Sequence, residues 1–344
     1  MPPSAGFNGE PGRMMMRIAV LMGGDSPERE ISLLTGRAVA DGLRRSGHEV
    51  ELVDIPSVDA VLALDVIKTV EMVFPALHGG EGENGHLQAV LDVMKIPYAL
   101  SGAAASALAM DKSSAKRVMR ASGIPTPDWL QVTWNPHREK TGTVPEDLEQ
   151  DGTLHRIFER AADDLGFPLV IKLNEGGSSV GVEIVQKSAR FKEAFLKVAG
   201  AGSIDGASAE LDILLEKFIP GRELTAAIFL GRRLPLLEIK PNEGFYDYEK
   251  KYTVGASEYL VPAPVHSPLY EQISADALRL FELIGCRGLA RVDFRLNMDD
   301  YNCLEINTIP GMTKTSLVPK AAAAVGIGFE HLVEDVCLAA LSGK

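Results

Sequence analysis

Short apolar runs parted by glycine-rich polar turns open the chain, and alternating apolar runs dominate its last third. Arg17 to Met22 and Glu49 to Asp54 read as strands, with a helix between them that begins near Glu28 to Ser32 and stops at Gly47. That order predicts a right-handed βαβ unit. Val70 to Leu77 continues the parallel sheet as a further strand, and the polar stretch His78 to Gly85 leads into a helix that runs to about Lys95. Polar loops at the carboxyl ends of strands in such a sheet are where ligands sit.

From Ser101 the pattern changes. Ala103 to Met110 and Lys112 to Ser122 carry helical spacing, with Gly123 as a cap and Pro125 and Pro127 as stops. His137 to Gly152 is polar and predicts a surface excursion. A helix to Leu165, the strand Pro168 to Lys172, the loop Leu173 to Ser179 and the strand Val180 to Val185 suggest a small second domain able to move against the rest. The last third predicts strands at Asp212 to Ile219, Glu223 to Leu230, Leu234 to Lys240, Gly288 to Leu296 and Tyr301 to Asn307. Gly231-Arg232 is a hairpin turn, Ser267 to Ile284 a covering helix, and two helices end the chain.

The hairpin of the last two strands carries the sharpest chemistry. Period-two alternation projects Arg291, Asp293, Glu305 and Asn307 into one small volume. Two carboxylates gathered there are costly to fold unless something positive sits among them. Oxygen donors without thiolates or imidazoles suit Mg²⁺. Asp293 should face Glu305 when the connecting loop is odd, as with Met298-Asp299-Asp300. A two-residue turn at Met298-Asp299 should set them on opposite faces and remove the metal argument. A polar-faced edge hairpin with solvated charges is the other reading.

A length of 344 residues suggests two or three domains, and 46% hydrophobic with 24% charged residues is ordinary for a globular protein. The formal charge of −12, with no dense Lys/Arg block, argues against nucleic acid or an anionic membrane as partner. Anionic ligands must be met by local cations. Cys286, Cys303 and Cys337 lie far apart in apolar runs and read as buried thiols in a reducing compartment. Ile18 to Met22 is too short for a secretion signal, and no run approaches a membrane span. Residues 1 to 15 read as a disordered leader or a mis-assigned start.

Other segments hold candidates with open alternatives. Lys172 ends an apolar strand before Glu175-Gly176-Gly177-Ser178-Ser179, a loop whose amides and hydroxyls could fold over phosphates or form an ordinary turn. Glu216-Lys217 ends another strand, where main-chain groups could meet an adenine edge while Glu216 and Glu223 reach ribose hydroxyls; a solvated strand end is the alternative. Tyr246 to Tyr252 is a charged aromatic loop of the kind that closes over a site, although exposed loops often look alike. His78 follows an apolar strand and points into a cleft, or is a satisfied structural histidine. Glu28 is either a first-turn capping acid or a grip for a ligand ammonium.

Taken in order, several segments resemble the D-alanine:D-alanine ligases of the ATP-grasp superfamily. They are Gly23-Gly24-x-Ser26-x-Glu28-Arg29-Glu30-x-Ser32, His78-Gly79-x-x-Gly82-Glu83-Asn84-Gly85, Met110-Asp111-Lys112, Gly177-Ser178-Ser179-Val180-Gly181, Lys251-Tyr252, Arg291-x-Asp293 and Glu305-x-Asn307-x-x-Pro310-Gly311-Met312-Thr313-x-x-Ser316-Leu317. The resemblance implies an α/β ATP-grasp fold, with a leader at 1–15, an N-terminal parallel-sheet (pre-ATP-grasp) domain at 16–102, a small central α+β domain at 103–211 and a C-terminal α+β domain at 212–344.

It also implies roles. Lys112, Lys172, Glu216, Lys217, Ile219 and Glu223 would hold ATP, with Lys251 near its terminal phosphate. Asp293, Glu305 and Asn307 would ligate two Mg²⁺ ions, with Mn²⁺ as a substitute. Glu28 would bind the first D-alanine with His78 close by, Arg291 and the amide of Gly311 would polarise the reacting carbonyl, and Ser316 with Leu317 would receive the second D-alanine. Glu28, Ser178 and Tyr252 would join in a hydrogen-bond network that shuts the loops, and tyrosine at 252 would favour amide over ester formation. A cytoplasmic homodimer that synthesises a peptidoglycan precursor is the implied setting. Leu100, Glu175-Gly176 and Lys314-Thr315 depart from the family pattern and bear on substrate affinity. The rivals are a ligase of the same superfamily acting on another amino acid and a nucleotide-binding regulator without turnover.

Overall fold

The computed structural model describes residues 15–135, 152–177, 181–202, 210–241, 257–313 and 315–342. Strand β1 (Arg17–Gly23) is buried from Ile18 onward because both its edges and both its faces are covered. It pairs in parallel with β2 (Glu49–Ile55) and β3 (Met72–Pro75), in the sheet order β2-β1-β3. The intervening helix α1 (Arg29–Arg45) lays Val39, Ala40 and Leu43 on this sheet. Ser32 fastens its start, with Oγ accepting from Gly23 N–H at 2.8 Å and donating to the Ala76 carbonyl at 2.8 Å. Helix α2 (His86–Met94) follows the loop beyond β3.

Further cover for the face on which α1 packs comes from far away in sequence. Helix α9 (Phe329–Leu341), preceded by the short α8 (Leu317–Ala323), inserts Leu332, Val333 and Val336 into one cluster with Ile18, Val20, Leu43 and Phe74. His48 and Glu334 meet inside that contact, Nε2 to Oε1 at 3.4 Å.

A second sheet is antiparallel, in the order β4-β7-β5-β6: β4 (Trp129–Trp134), β7 (Leu211–Lys217), β5 (Leu169–Leu173) and β6 (Glu183–Val185). Helices α5 (Gly152–Asp164) and α6 (Phe191–Gly202) cover one face with a cluster that includes Trp134, Phe191 and Phe195. The expected cut at 211/212 therefore falls at the head of a strand whose partners all lie in the middle sheet. Helices α3 (Ala103–Met110) and α4 (Lys112–Ala121) pack instead into the cluster of the third sheet.

That third sheet runs β11-β10-β8-β12-β13: β8 (Arg222–Phe229), β10 (Leu237–Pro241), β11 (Ser257–Leu260), β12 (Leu289–Asn297) and β13 (Asp300–Asn307), with the two-residue β9 (Arg232–Arg233) beside β8. Helix α7 (Ser267–Ile284) covers it, with the bounds its sequence predicts. The strand expected at Leu234 to Lys240 forms later, at Leu237–Pro241.

The hairpin corrects the parity expectation. Asn297 pairs with Asp300, so the turn is the two-residue Met298-Asp299, yet Asp293 still faces Glu305. The register shifts between Asp293 and Phe294, where Phe294 pairs with Cys303 and leaves Leu304 as an extra residue. A bulge of one residue reverses which face the following side chains take. Tyr301 and Cys303 thus face the core, and so does Ile306 three positions on, while Glu305 and Asn307 turn to the other side.

Met298 occupies the turn at φ +53° with its side chain 90% exposed. The left-handed region disfavours any residue with a Cβ, and an exposed side chain returns little packing. Met298→Gly is expected to stabilise the protein by about 1 kcal/mol, read as a higher urea midpoint with unchanged slope.

Candidate active site

The face of β12 and β13 opposite the core gathers the charged residues. Arg291 lies across from Asn307 and Asp293 across from Glu305, while on the other side Asp293 pairs with Thr225 of β8. Asp293 accepts from Arg291 Nε at 3.0 and 3.1 Å, from Arg291 Nη2 at 2.8 Å, from Thr225 Oγ1 at 2.6 Å and from Asn307 Nδ2 at 3.2 Å. Lys112 Nζ stands 3.8 Å from Glu305 Oε2. The chain's own Arg291 and Lys112 thus supply positive charge that the sequence reading assigned to a bound cation. Two carboxylates and an amide on neighbouring strands remain a hard oxygen donor set, which fits Mg²⁺.

Facing this hairpin is the uncovered side of the middle sheet. Lys172 on β5 and Glu216 on β7 both point that way, opposite to the face that holds Ile171 and Leu215 in the apolar cluster. Lys172 Nζ donates to Glu216 Oε1 at 2.8 Å, and Lys116 Nζ reaches Glu216 Oε2 at 2.6 Å. Burial works against the Glu216 charge, but the two lysines outweigh it and hold its pKa below the ordinary value. Burial likewise opposes the Lys172 charge, and Glu216 with Glu305 reverses the sign and raises it. For Lys112 and Lys116 burial prevails and lowers both.

Sequence reading missed Lys116, and the signal was its spacing. It sits four residues after Lys112, hence on the same face of α4 one turn further in. The start of that helix is tied to the loop after β5. Asp111 caps it by accepting from Ser114 N–H at 2.9 Å, while Asn174 takes the Ser113 N–H at 2.9 Å and donates to Asp111 Oδ1 at 2.8 Å. Lys112 Nζ donates to the Gly176 carbonyl. Arg295 was also missed. Its Nε donates to the Ile219 carbonyl at 3.2 Å and its Nη1 to Glu223 Oε2 at 3.4 Å, so one guanidinium holds both. Lys217 is exposed at the end of β7, where its N–H donates to the Asp128 carbonyl at 2.9 Å.

The third wall comes from the N-terminal sheet. Glu28, immediately before α1, is buried, so it is no solvated capping acid. Two loops close on its carboxylate. A Cβ on Gly177 would overlap Glu28 Oε2, and one on Gly79, at φ +68°, would stand 2.7 Å from it. Only glycine leaves room at either place. His78 is buried, with Nε2 at 2.8 Å from Thr35 Oγ1 and Nδ1 at 3.3 Å from Glu83 Oε1, so both ring nitrogens are engaged within the protein. Its partner Glu83, with Lys112, Gly176, Gly177, Glu305, Asn307 and Thr308, lines a narrow cleft. Ser316 precedes Leu317, the first residue of α8, and its Oγ lies 3.0 Å from Thr313 N and 2.9 Å from Thr313 Oγ1. Gly311 packs against Ser316, which would stand 3.1 Å from a Cβ there. The expected positions Ser178, Lys251 and Tyr252 lie outside the described residues, as does the excursion after His137.

A cleft between two antiparallel sheets, with a buried lysine-glutamate pair on one and a bulged acid-amide hairpin on the other, beside a parallel-sheet unit, defines the ATP-grasp class of ligases. The family model described as D-ala D-ala ligase C-terminus matches residues 118–337, and that described as D-ala D-ala ligase N-terminus matches residues 57–101. The chain is 42% identical to the D-alanine–D-alanine ligase of Syntrophotalea carbinolica over 93% of its own length and 94% of that protein's. It is also 42% identical to the enzyme of that name from Desulforudis audaxviator, over 94% and 98%. The crystal structure of D-alanine–D-alanine ligase from Bacillus anthracis complexed with ATP superposes with a TM-score of 0.75 at 30% identity, over 95% of this chain and 98% of that one. The chain belongs to the D-alanine–D-alanine ligase family.

Because Glu216 has a depressed pKa when folded, its stabilising contribution is complete above the ordinary glutamate range and is lost as pH falls through the depressed value. The urea midpoint of the protein is expected to drop as pH falls below about 4. Glu216→Gln should be less stable at neutral pH by about 3 kcal/mol or more, since two buried ammonium groups then face an amide, yet lose less on acidification.

Proposed function

We propose that the chain joins two molecules of D-alanine in an ATP-dependent reaction that yields D-alanyl-D-alanine, ADP and phosphate, a step in making peptidoglycan precursor. The observation that carries this reading is identity above 40% over nearly the whole chain to ligases of that name, joined to a cleft in which Lys112 and Glu305 face each other. Carboxylates are poor electrophiles. The first D-alanine carboxylate therefore attacks the terminal phosphate of ATP, and the resulting acyl phosphate is open to attack by the amine of the second.

Each residue has a task in this scheme. Glu28 takes the first ammonium, supported by its burial between two glycine loops, and His78 shapes that pocket through Glu83. Lys112, Lys172, Glu216, Lys217, Ile219 and Glu223 bind the nucleotide, and Lys251 attends its terminal phosphate. Arg291, with the N–H of Gly311, stabilises the oxyanion that forms when the amine adds to the carbonyl. Ser316 and Leu317 receive the second D-alanine. Asp293, Glu305 and Asn307 would hold two Mg²⁺ ions, or Mn²⁺ in their place, which when bound neutralise phosphate charge. Water destroys an acyl phosphate, so the loops of Ser178 and Tyr252 close over Glu28, and Tyr252 favours an amine as acceptor.

The reading extends to three units. The middle one ends after Lys217 instead of at 211, since β7 belongs to its sheet. A cytoplasmic homodimer completes it; among the described residues no helix is long and apolar enough to cross a membrane.

Phosphate released from ATP, measured with each alanine enantiomer, tests the activity. Release that requires D-alanine and ignores L-alanine, with the dipeptide found by mass spectrometry, is the expected result; release with neither, alongside ATP binding, would show a regulator. Gly177→Ala tests the Glu28 pocket. The added methyl displaces the carboxylate, so kcat/KM for D-alanine should fall by about tenfold or more while Tm moves by only about 2 °C.

A further inference from the structure

Two cations share one anion close to Lys112 and Glu305, the charged pair of the cleft. Glu216 spends Oε1 on Lys172 and Oε2 on Lys116, and all three side chains are buried. A single lysine would have balanced the carboxylate. The second, Lys116, is fully buried, and burying an ammonium costs free energy that packing alone does not return. Its remaining hydrogen bond, to Thr126 Oγ1 at 2.9 Å, leads away from the cleft, since Thr126 donates in turn to the Cys303 carbonyl at 2.8 Å, and its Nζ lies 5.9 Å from the centroid of the Trp129 ring. Lys116 is screened by Glu216 from any ligand, so it acts through its neighbours or not at all.

The charge count shows how. A lysine on a strand end is flexible, and pairing with Glu216 fixes the Lys172 ammonium in place. That same pairing would cancel its charge toward a ligand. A second ammonium on the far oxygen offsets the carboxylate, and the trio carries one net positive charge beside the cleft. We propose that Lys116 is a positioning residue for nucleotide binding, which balances Glu216 from behind so that an oriented Lys172 presents net positive charge to the phosphates of ATP. This inference rests on the reading of the cleft as the ATP site.

Four proteins in three charge states separate it from a structural role. Lys116→Met leaves the trio neutral, Lys116→Met with Glu216→Gln restores one positive charge, and Glu216→Gln alone gives two. Binding of ATP and of adenosine to the full chain is measured by calorimetry in the presence of Mg²⁺, and the ratio of the two affinities cancels any change at the base. Lys116→Met is expected to lower that ratio by about tenfold, as loss of a unit charge roughly 10 Å from an anion gives at an effective dielectric of about 20. The double variant should return that ratio to within about threefold of the wild type, and in Lys116→Met the KM for ATP should rise with kcat little changed. A double variant no better than Lys116→Met, or equal weakening of ATP and adenosine, overturns the proposal. Should Lys116→Met not fold, Lys116→Gln, which keeps a donor for Thr126, carries the same expectation. Lys172→Met distinguishes the two readings. If it leaves ATP affinity unchanged, the cleft is misassigned; if it weakens ATP while Lys116→Met does not, only the role of Lys116 fails.

Discussion

Everything in the cleft depends on Asp293 and Glu305 standing directly across from each other on adjacent strands. Cross-strand opposition holds two carboxylates at a fixed spacing, with their backbones locked by the ladder on both sides of β12. The turn would not achieve this by itself. Leu304, the extra residue of β13, turns Glu305 and Asn307 away from the core while Ile306 stays inside it. Bulges recur beside functional sites because they re-aim side chains without breaking a sheet.

The charged side chains are paired within and between the walls. Arg291 answers Asp293, Lys112 approaches Glu305, Arg295 answers Glu223, and two lysines answer Glu216. Buried ionic groups left without partners would destabilise the fold severely. A ligand must therefore replace interactions that already exist, and affinity rests on the difference between the two sets. The walls belong to three sheets, so the same residues that recognise a ligand also report whether those sheets are correctly brought together.

How much could be read from the sequence differs by residue. Period-two alternation placed Asp293 and Glu305 together, but through an odd loop that the chain does not have. The apolar positions held the better clue: Tyr301 and Cys303 keep one parity and Ile306 takes the other, which is what an extra residue does to a strand. Lys116 was legible as a helical neighbour of Lys112. Arg295 was not, because its contacts with Ile219 and Glu223 follow from the β8–β12 register, which no local pattern encodes. The membership of β7 was hidden for the same reason: an alternating strand declares its faces but not its partners. Glu28 and Gly177 lie about half the chain apart, and only the folded molecule shows the glycine's purpose.

The packing of α9 on the first sheet bears on synthesis. A ribosome delivers Ile18, Val20 and Phe74 long before it delivers Leu332, Val333 and Val336, which cover them. Throughout that interval the nascent amino-terminal third exposes a greasy face that later residues must bury, and such surfaces attract chaperones or wrong neighbours. Translation must reach α9 before the earliest strands acquire their full shelter.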